Sequence, residues 1–199
     1  MSRFLLIRHA ATTAMKDILY GRQPGFDLSE IGRAEAGALA KALSDIRLDA
    51  LVTSPQTRAQ QTAMAIGESK SIPVQTWEQF NEVDYGAWTG SRFSDLDRDP
   101  DWRTFNSLRS IKRAPGGESL RDVQYRAVTG IQELQAQLPF QTVAIVTHAD
   151  VIRAILTYLL GIPLDLYLRI DIDPASISAF ELGTGIPTVQ AINARRIPV

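Results

Sequence analysis

The amino-acid sequence predicts an α/β fold, a three-layer α/β/α sandwich whose central sheet is mostly parallel with an antiparallel edge. Three observations carry this. Short continuous apolar runs alternate with stretches whose apolar residues recur at helical spacing, the pattern of strands joined by crossover helices on both faces of one sheet. The chain ends in two apolar segments around Gly183-Thr184-Gly185, which reads as an edge hairpin. With 199 residues, 45% of them hydrophobic, and no repeat, low-complexity tract or linker, the chain is sized for one core, and residues 1–199 are expected to form a single domain.

The first element is Arg3-Phe4-Leu5-Leu6-Ile7-Arg8, a run suited to a central strand buried on both faces, and it ends in Arg8-His9. After the turn-rich segment Tyr20 to Asp27, Ser29 offers an N-cap to an amphipathic helix with Ile31, Ala34, Ala38, Leu39, Ala42 and Leu43 as its apolar stripe. Ala50-Leu51-Val52 predicts a second strand. Thr53-Ser54-Pro55 breaks it before a helix that carries Arg58 in its first turn, then Ala59, Ala63 and Ile66. Residues 84–119 hold Trp88, Trp102 and the turn Pro115-Gly116-Gly117 without a clean period, and predict a partly helical excursion from the core. Regular structure resumes with a helix over about Ser119 to Leu138 and a buried strand Thr142 to Val146, which ends in Thr147-His148. Val151, Ile152, Ile155, Leu156, Leu159 and Leu160 form the stripe of a last helix, stopped by Gly161 and Pro163. The hairpin, Ala175 to Leu182 and Thr188 to Asn193, follows and offers an edge on which two copies can pair as a homodimer.

Composition narrows the chemistry. Lys plus Arg number 21 against 22 Asp plus Glu, so no global field attracts nucleic acid or an acidic membrane, and any anion must be recognised locally. The absence of cysteine removes disulfides, thiolate nucleophiles and Cys-type metal sites. The N-terminal apolar run is too short for a signal-peptide core, and the longest apolar stretch, Ala154 to Leu164, cannot cross a bilayer; a cytoplasmic location without membrane contact is expected.

In open sheets of this kind ligands bind outside the carboxyl ends of the strands. Three such ends carry Arg8-His9, Ser54 with Arg58, and Thr147-His148, which include both histidines of the chain. Two histidines, two arginines and helix N-termini describe a site for a dianion such as phosphate, because guanidinium forks match its oxygens and orphan backbone N–H groups complete the cradle. A neutral imidazole there can attack phosphorus without a metal, while nearby positive charge favours the uncharged ring and stabilises the equatorial oxygens. Taken singly, each of these residues has a bland reading as a packed histidine or a solvated arginine. Their convergence on strand ends argues against it.

The motifs also resemble a known family. Arg8-His9-Ala10-Ala11-Thr12 resembles the Arg-His-Gly-x-Thr signature of the histidine phosphatase superfamily, the phosphoglycerate mutase-like proteins. In order after it come Gly21-Arg22-x-Pro24-Gly25-x-x-Leu28-Ser29-x-x-Gly32, Ser54-Pro55-x-x-Arg58-Ala59-x-x-Thr62-Ala63, Asn81-Glu82-x-x-x-Gly86-x-Trp88-x-Gly90, Pro115-Gly116-Gly117-Glu118-Ser119 and Val146-Thr147-His148-Ala149, each similar to a family block. The resemblance spans residues 4 to about 160. It implies His9 as the phosphorylated nucleophile, Arg8 and Arg58 as phosphate clamps, His148 as a further phosphate ligand, and Glu82 as proton donor to the leaving oxygen and then base toward water. Thr12, Arg22 and Thr147 become candidate substrate contacts. Ala10 and Ala149 stand where the family usually has glycine, Ala11 replaces a frequent polar residue, and Met15 stands where the mutases tend to have asparagine.

The implied activity is hydrolysis of a phosphomonoester of a small molecule through a phosphohistidine, of the histidine acid phosphatase type, with no metal or cofactor. A mutase needs extra basic residues and a lid, and the stretch after Gly90 lacks the long basic insertion such enzymes carry, so phosphoglycerate mutase ranks second. The α-ribazole phosphate phosphatases are one branch that fits. A domain that only binds phosphorylated ligands is a further alternative, disfavoured because such a module has no use for a nucleophile and an acid. Trp88, Phe93, Trp102 and Phe105 read as local core before they read as a wall for the leaving group, and Arg109, Lys112 and Arg113 as a solvated basic patch.

Overall fold

The computed structural model describes residues 1–14, 17–139, 141–183 and 185–197. Met15 and Thr184 lie outside the described residues. Six strands form one sheet: β1 (Ser2–Arg8), β2 (Ala50–Thr53), β3 (Val74–Thr76), β4 (Thr142–Thr147), β5 (Ile177–Leu182) and β6 (Thr188–Ala194), in the order β3-β2-β4-β1-β5-β6. The first four are mutually parallel, whereas β5 pairs antiparallel with β1 and β6 antiparallel with β5. The edge expected from the tail is therefore present, with β6 outermost and β5 paired to β1.

Alternation along the strands divides the core. Phe4 and Leu6 face one layer with Val143, Ile145 and Phe180; Leu5 and Ile7 face the other with Leu51, Ala144 and Val146. Phe4 to Ile7 are wholly buried, each contributing about 1.5–3 kcal/mol relative to exposure. Helices α1 (Glu30–Ala42) and α2 (Thr57–Lys70) cover the Leu5 face; α5 (Leu120–Gln137) and α6 (Ala149–Leu160) cover the Phe4 face.

Ser29 caps α1 by accepting from Gly32 N at 3.0 Å. The buried stripe differs from the expected one: it is Gly32, Ala36, Leu39 and Ala40, while Ile31 is 69% exposed and Ala34 and Ala38 face solvent. The cause is a backbone contact. A Cβ at position 32 would lie 1.8 Å from the Ala11 carbonyl oxygen, so Gly32 turns inward against the loop after His9 and rotates Ile31 out. Strand β3 was unexpected from sequence because Val74–Thr76 is a short, largely exposed edge with no apolar run.

The segment 84–119 is partly helical, as expected, with α3 (Phe93–Leu96) and α4 (Pro100–Ser107). Trp88, Trp102 and Phe105 are buried against one another, Trp88 to Trp102 at 5.2 Å between ring centroids. Arg109 corrects the expectation of a solvated patch: it is 5% exposed, stacked between the Phe105 and Tyr167 rings at 5.0 and 4.7 Å. Gly86 and Gly117 explain the glycines of two motifs, since a Cβ on either would lie within 2.2 Å of a carbonyl oxygen of the opposing loop. Among the described residues no helix is long and apolar enough to cross a membrane.

Candidate active site

Register assembles the site. Arg8 on β1 pairs with Thr147 on β4, so the next residues, His9 and His148, leave the sheet side by side with ring centroids 5.2 Å apart. Ser54 leaves β2 next to them, its N–H donating to Val146 O at 2.9 Å. Arg58 projects from the first turn of α2. Arg8, His9, Thr12, Arg58 and Glu82 line one cleft of about 300 Å³ together with Tyr85, Phe93 and Asp150.

His9 is 9% exposed, and its Nδ1 lies 2.8 Å from the Ala10 carbonyl oxygen. A carbonyl only accepts, so Nδ1 carries the proton and Nε2 keeps its lone pair. Burial, then the Arg58 and Arg8 charges, outweigh the Ala10 hydrogen bond and depress the His9 pKa to about 3, which keeps the ring neutral. A neutral ring with a free Nε2 lone pair is chemically able to act as a nucleophile.

Glu82 is shifted the other way. Burial foremost, then the charge of Asp150, raise its carboxyl to about 7 against the pull of Arg58 at 3.8 Å, the Val83 N–H and Arg126. Its backbone is clamped: Arg22 Nε donates to the Glu82 carbonyl at 2.7 Å and Arg126 Nη2 at 3.0 Å, while Glu82 N–H donates to Asn81 Oδ1 at 2.8 Å. Both arginines also donate to the Glu118 carboxylate, at 2.9–3.1 Å, which accepts Asp84 N–H as well. Glu118, Arg22 and Arg126 thus hold the Glu82 loop.

His148 is fully buried, outside the cleft lining, and meets it through His9 and Glu82. Its Nε2 lies 2.7 Å from Ser54 Oγ, which also accepts Gln56 N–H; with the Ser54 hydroxyl donating to Nε2, Nδ1 carries the ring proton. That nitrogen is 3.3 Å from Glu82 Oε2 yet misaligned, and it counts with Arg8 Nε among the buried donors that lack a hydrogen bond. Burial above all, with Arg58, pushes His148 well below the usual histidine range, so it too is neutral. Arg8 donates by Nη1 to Ile172 O at 2.5 Å, and Arg58 by Nη2 to Gly21 O at 2.8 Å.

Of the three candidate substrate contacts, only Thr12 lines the cleft. Thr147 does not reach it: the side chain is wholly buried and its hydroxyl donates to Phe80 O at 2.7 Å, bracing the segment that leads to Glu82. Arg22 is likewise turned to the Glu82 backbone, for the reason given above. Ala10 and Ala149 are accommodated without strain, since neither has a positive φ; Ala10 N–H donates to Thr62 Oγ1 at 3.1 Å and Ala149 opens α6.

Sequence reasoning missed Asp150 and Tyr85 as cleft residues and Arg126 as a clamp. Asp150 sits in the first turn of a helix, where a carboxylate reads as an ordinary partner of the helix dipole, and Arg126 sits mid-helix, where arginine reads as solvated.

Comparison with known proteins agrees with this geometry. The family model for the histidine phosphatase superfamily (branch 1) matches residues 4–195. Phosphoserine phosphatase 1 of Hydrogenobacter thermophilus is 32% identical over 187 residues, covering 92% of this chain and 87% of that protein. The adenosylcobalamin/alpha-ribazole phosphatase of Escherichia coli is 26% identical over 199 residues, 99% and 98% of the two chains. The chain spans only 54% of the length of three mycobacterial relatives that it matches at 30% identity. The solved structure of Bacillus stearothermophilus YhfR superposes with a TM-score of 0.91 at 27% identity, covering 98% of each chain. Motif order, site geometry and these matches lead to one assignment: the chain belongs to the histidine phosphatase superfamily, branch 1.

Proposed function

We propose that the protein is a phosphatase of the histidine acid type that hydrolyses a phosphomonoester of a small molecule through a phosphohistidine on His9. The observation that carries this is the pairing of a neutral imidazole, Nε2 unprotonated, with a carboxyl poised near neutrality across a cleft beside which Arg8 Nε and His148 Nδ1 are buried without a hydrogen bond. Buried donors of this kind await an anion, and Arg8, Arg58 and His148 Nδ1 serve as ligands of the phosphoryl oxygens.

His9 Nε2 attacks phosphorus in line; the P–O bond to the leaving group breaks, and its electron pair stays on oxygen, which takes the proton of Glu82. The Glu82 carboxylate then removes a proton from water, the hydroxide attacks phosphorus, the P–N bond breaks, and phosphate leaves with the His9 lone pair restored. Glu82 ends protonated, ready for the next ester. Segment 84–119 is the cover of the site, contributing Tyr85 and Phe93 to the cleft wall.

The names of the relatives, which refer to phosphoserine and α-ribazole phosphate, support a phosphorylated small molecule as substrate. A mutase must hold a second phosphate, and among the described lining residues the cations are Arg8 and Arg58, both assigned to the first. The test is hydrolysis of nitrophenyl phosphate in the presence of a metal chelator. Wild type is expected to turn over and His9→Ala to lose activity by several orders of magnitude; equal rates would refute the reading.

A further inference from the structure

Beyond the groups assigned to phosphoryl transfer, the cleft presents an aromatic and apolar wall and one carboxylate, Asp150, that transfers no proton and holds no phosphoryl oxygen in the mechanism. Tyr20 and Phe26 pack at 3.9 Å between centroids, and Phe93 lines the same space. Asp150 lies in that lining with its side chain 19% exposed. Its Oδ2 accepts from Tyr85 Oη at 2.6 Å, and its Oδ1 from Arg153 Nη1 at 3.1 Å and Tyr167 Oη at 3.2 Å. A carboxylate has about four acceptor sites, so these three donors fix it and leave one site open. Burial raises its pKa, but Arg109, Arg153 and the Tyr85 hydroxyl outweigh that and hold it below the ordinary value, so it is ionised throughout the working range.

Arg153 and Arg109 offset part of the Asp150 charge, and the part that remains works against binding in a cleft that must admit a dianion. The penalty is offset if the ligand itself brings a positive charge to that place. Aromatic faces beside a carboxylate are the recognised means of holding an ammonium group. We infer that Asp150 is a specificity-determining residue that selects phosphomonoesters whose leaving group carries an ammonium, and rejects those bearing a carboxylate. This rests on the phosphatase reading above and names the substrate class of the same site.

The experiment compares kcat/KM for phosphoethanolamine, propyl phosphate and phosphoglycolate in wild type and Asp150→Asn. All three esters release alkoxides that need the Glu82 proton, so intrinsic leaving-group differences, and an effect of Asp150 on Glu82 shared by the three, drop out when the ratio of two esters is compared between the two proteins. The preference for the ammonium ester over the neutral one is expected to fall about fivefold or more in the variant, and phosphoglycolate to improve relative to propyl phosphate. Unchanged ratios would overturn the inference. A second measurement needs no variant: 2-aminoethylphosphonate should inhibit nitrophenyl phosphate hydrolysis by wild type at a lower concentration than propylphosphonate, and equal inhibition would overturn it as well. Nitrophenyl phosphate hydrolysis in wild type but not in His9→Ala keeps the phosphatase reading standing if the inference fails.

Discussion

In the proposed mechanism Glu82 is the group whose protonation sets the working pH, and a pKa raised to about 7 sizes the expected effect. An ordinary glutamate at 4.5 is about 3% protonated at pH 6, whereas Glu82 at about 7 is about 90% protonated, roughly a thirtyfold gain in the active acid. Raising the pH to 8 lowers that fraction to about 10%. For an alkyl phosphate, whose alkoxide leaves only with a proton, kcat/KM is therefore expected to fall about tenfold between pH 6 and pH 8 with a midpoint near 7. Nitrophenyl phosphate, whose leaving group needs no proton, should lack this limb, because kcat/KM reports only steps through transfer to His9. Glu82→Gln should abolish the limb for alkyl esters and reduce their cleavage about a hundredfold, while nitrophenyl phosphate gives a burst of nitrophenol followed by slow turnover, since water attack also needs the carboxylate. The assay is a steady-state and pre-steady-state pH series on both esters and both proteins. An alkaline limb that persists in Glu82→Gln, or equal losses on both esters with no burst, would refute the assignment.

Other consequences follow from the same contacts. Because the folded state disfavours ionised Glu82, the contribution of this group to stability is fully present below about pH 4.5 and is lost as pH rises through about 7; Glu82→Gln should be more stable than wild type at pH 8, by up to about 3 kcal/mol, and not at pH 4, as read by thermal melts. Arg58→Lys keeps the charge but loses the planar fork, and kcat/KM should drop about tenfold or more; near-normal kinetics would make Arg58 a structural residue. Glu118→Gln should loosen the Arg22 and Arg126 clamp on the Glu82 carbonyl, lowering kcat severalfold for alkyl esters and much less for nitrophenyl phosphate. Equal effects on both esters would mean that Glu118 acts on the fold in general.

The strands and helices that carry the site were legible because their signals are local: an apolar run ending in Arg8-His9, a Ser29 cap, a Gly161 stop. Register converts that local order into proximity, and the pairing of Arg8 with Thr147 is what sets the two histidines together. Contacts decided by tertiary packing were hidden. The rotation of α1 depends on a backbone approach at Gly32, and the burial of Arg109 depends on two rings from distant segments. Thr147 and Arg22 sit in family motifs, yet their side chains turn to the backbone around Glu82, a choice that sequence spacing does not encode. Asp150 was masked by its place in a helix first turn.

Phosphoryl transfer to His9 is tested most directly by rapid base quenching of a single turnover with a ³²P-labelled ester, followed by peptide mapping under acid-free conditions. Label that survives base, is lost in acid and maps to His9 is the expected result, with none in His9→Ala. Label on His148, or hydrolysis with no covalent species at any time, would contradict it.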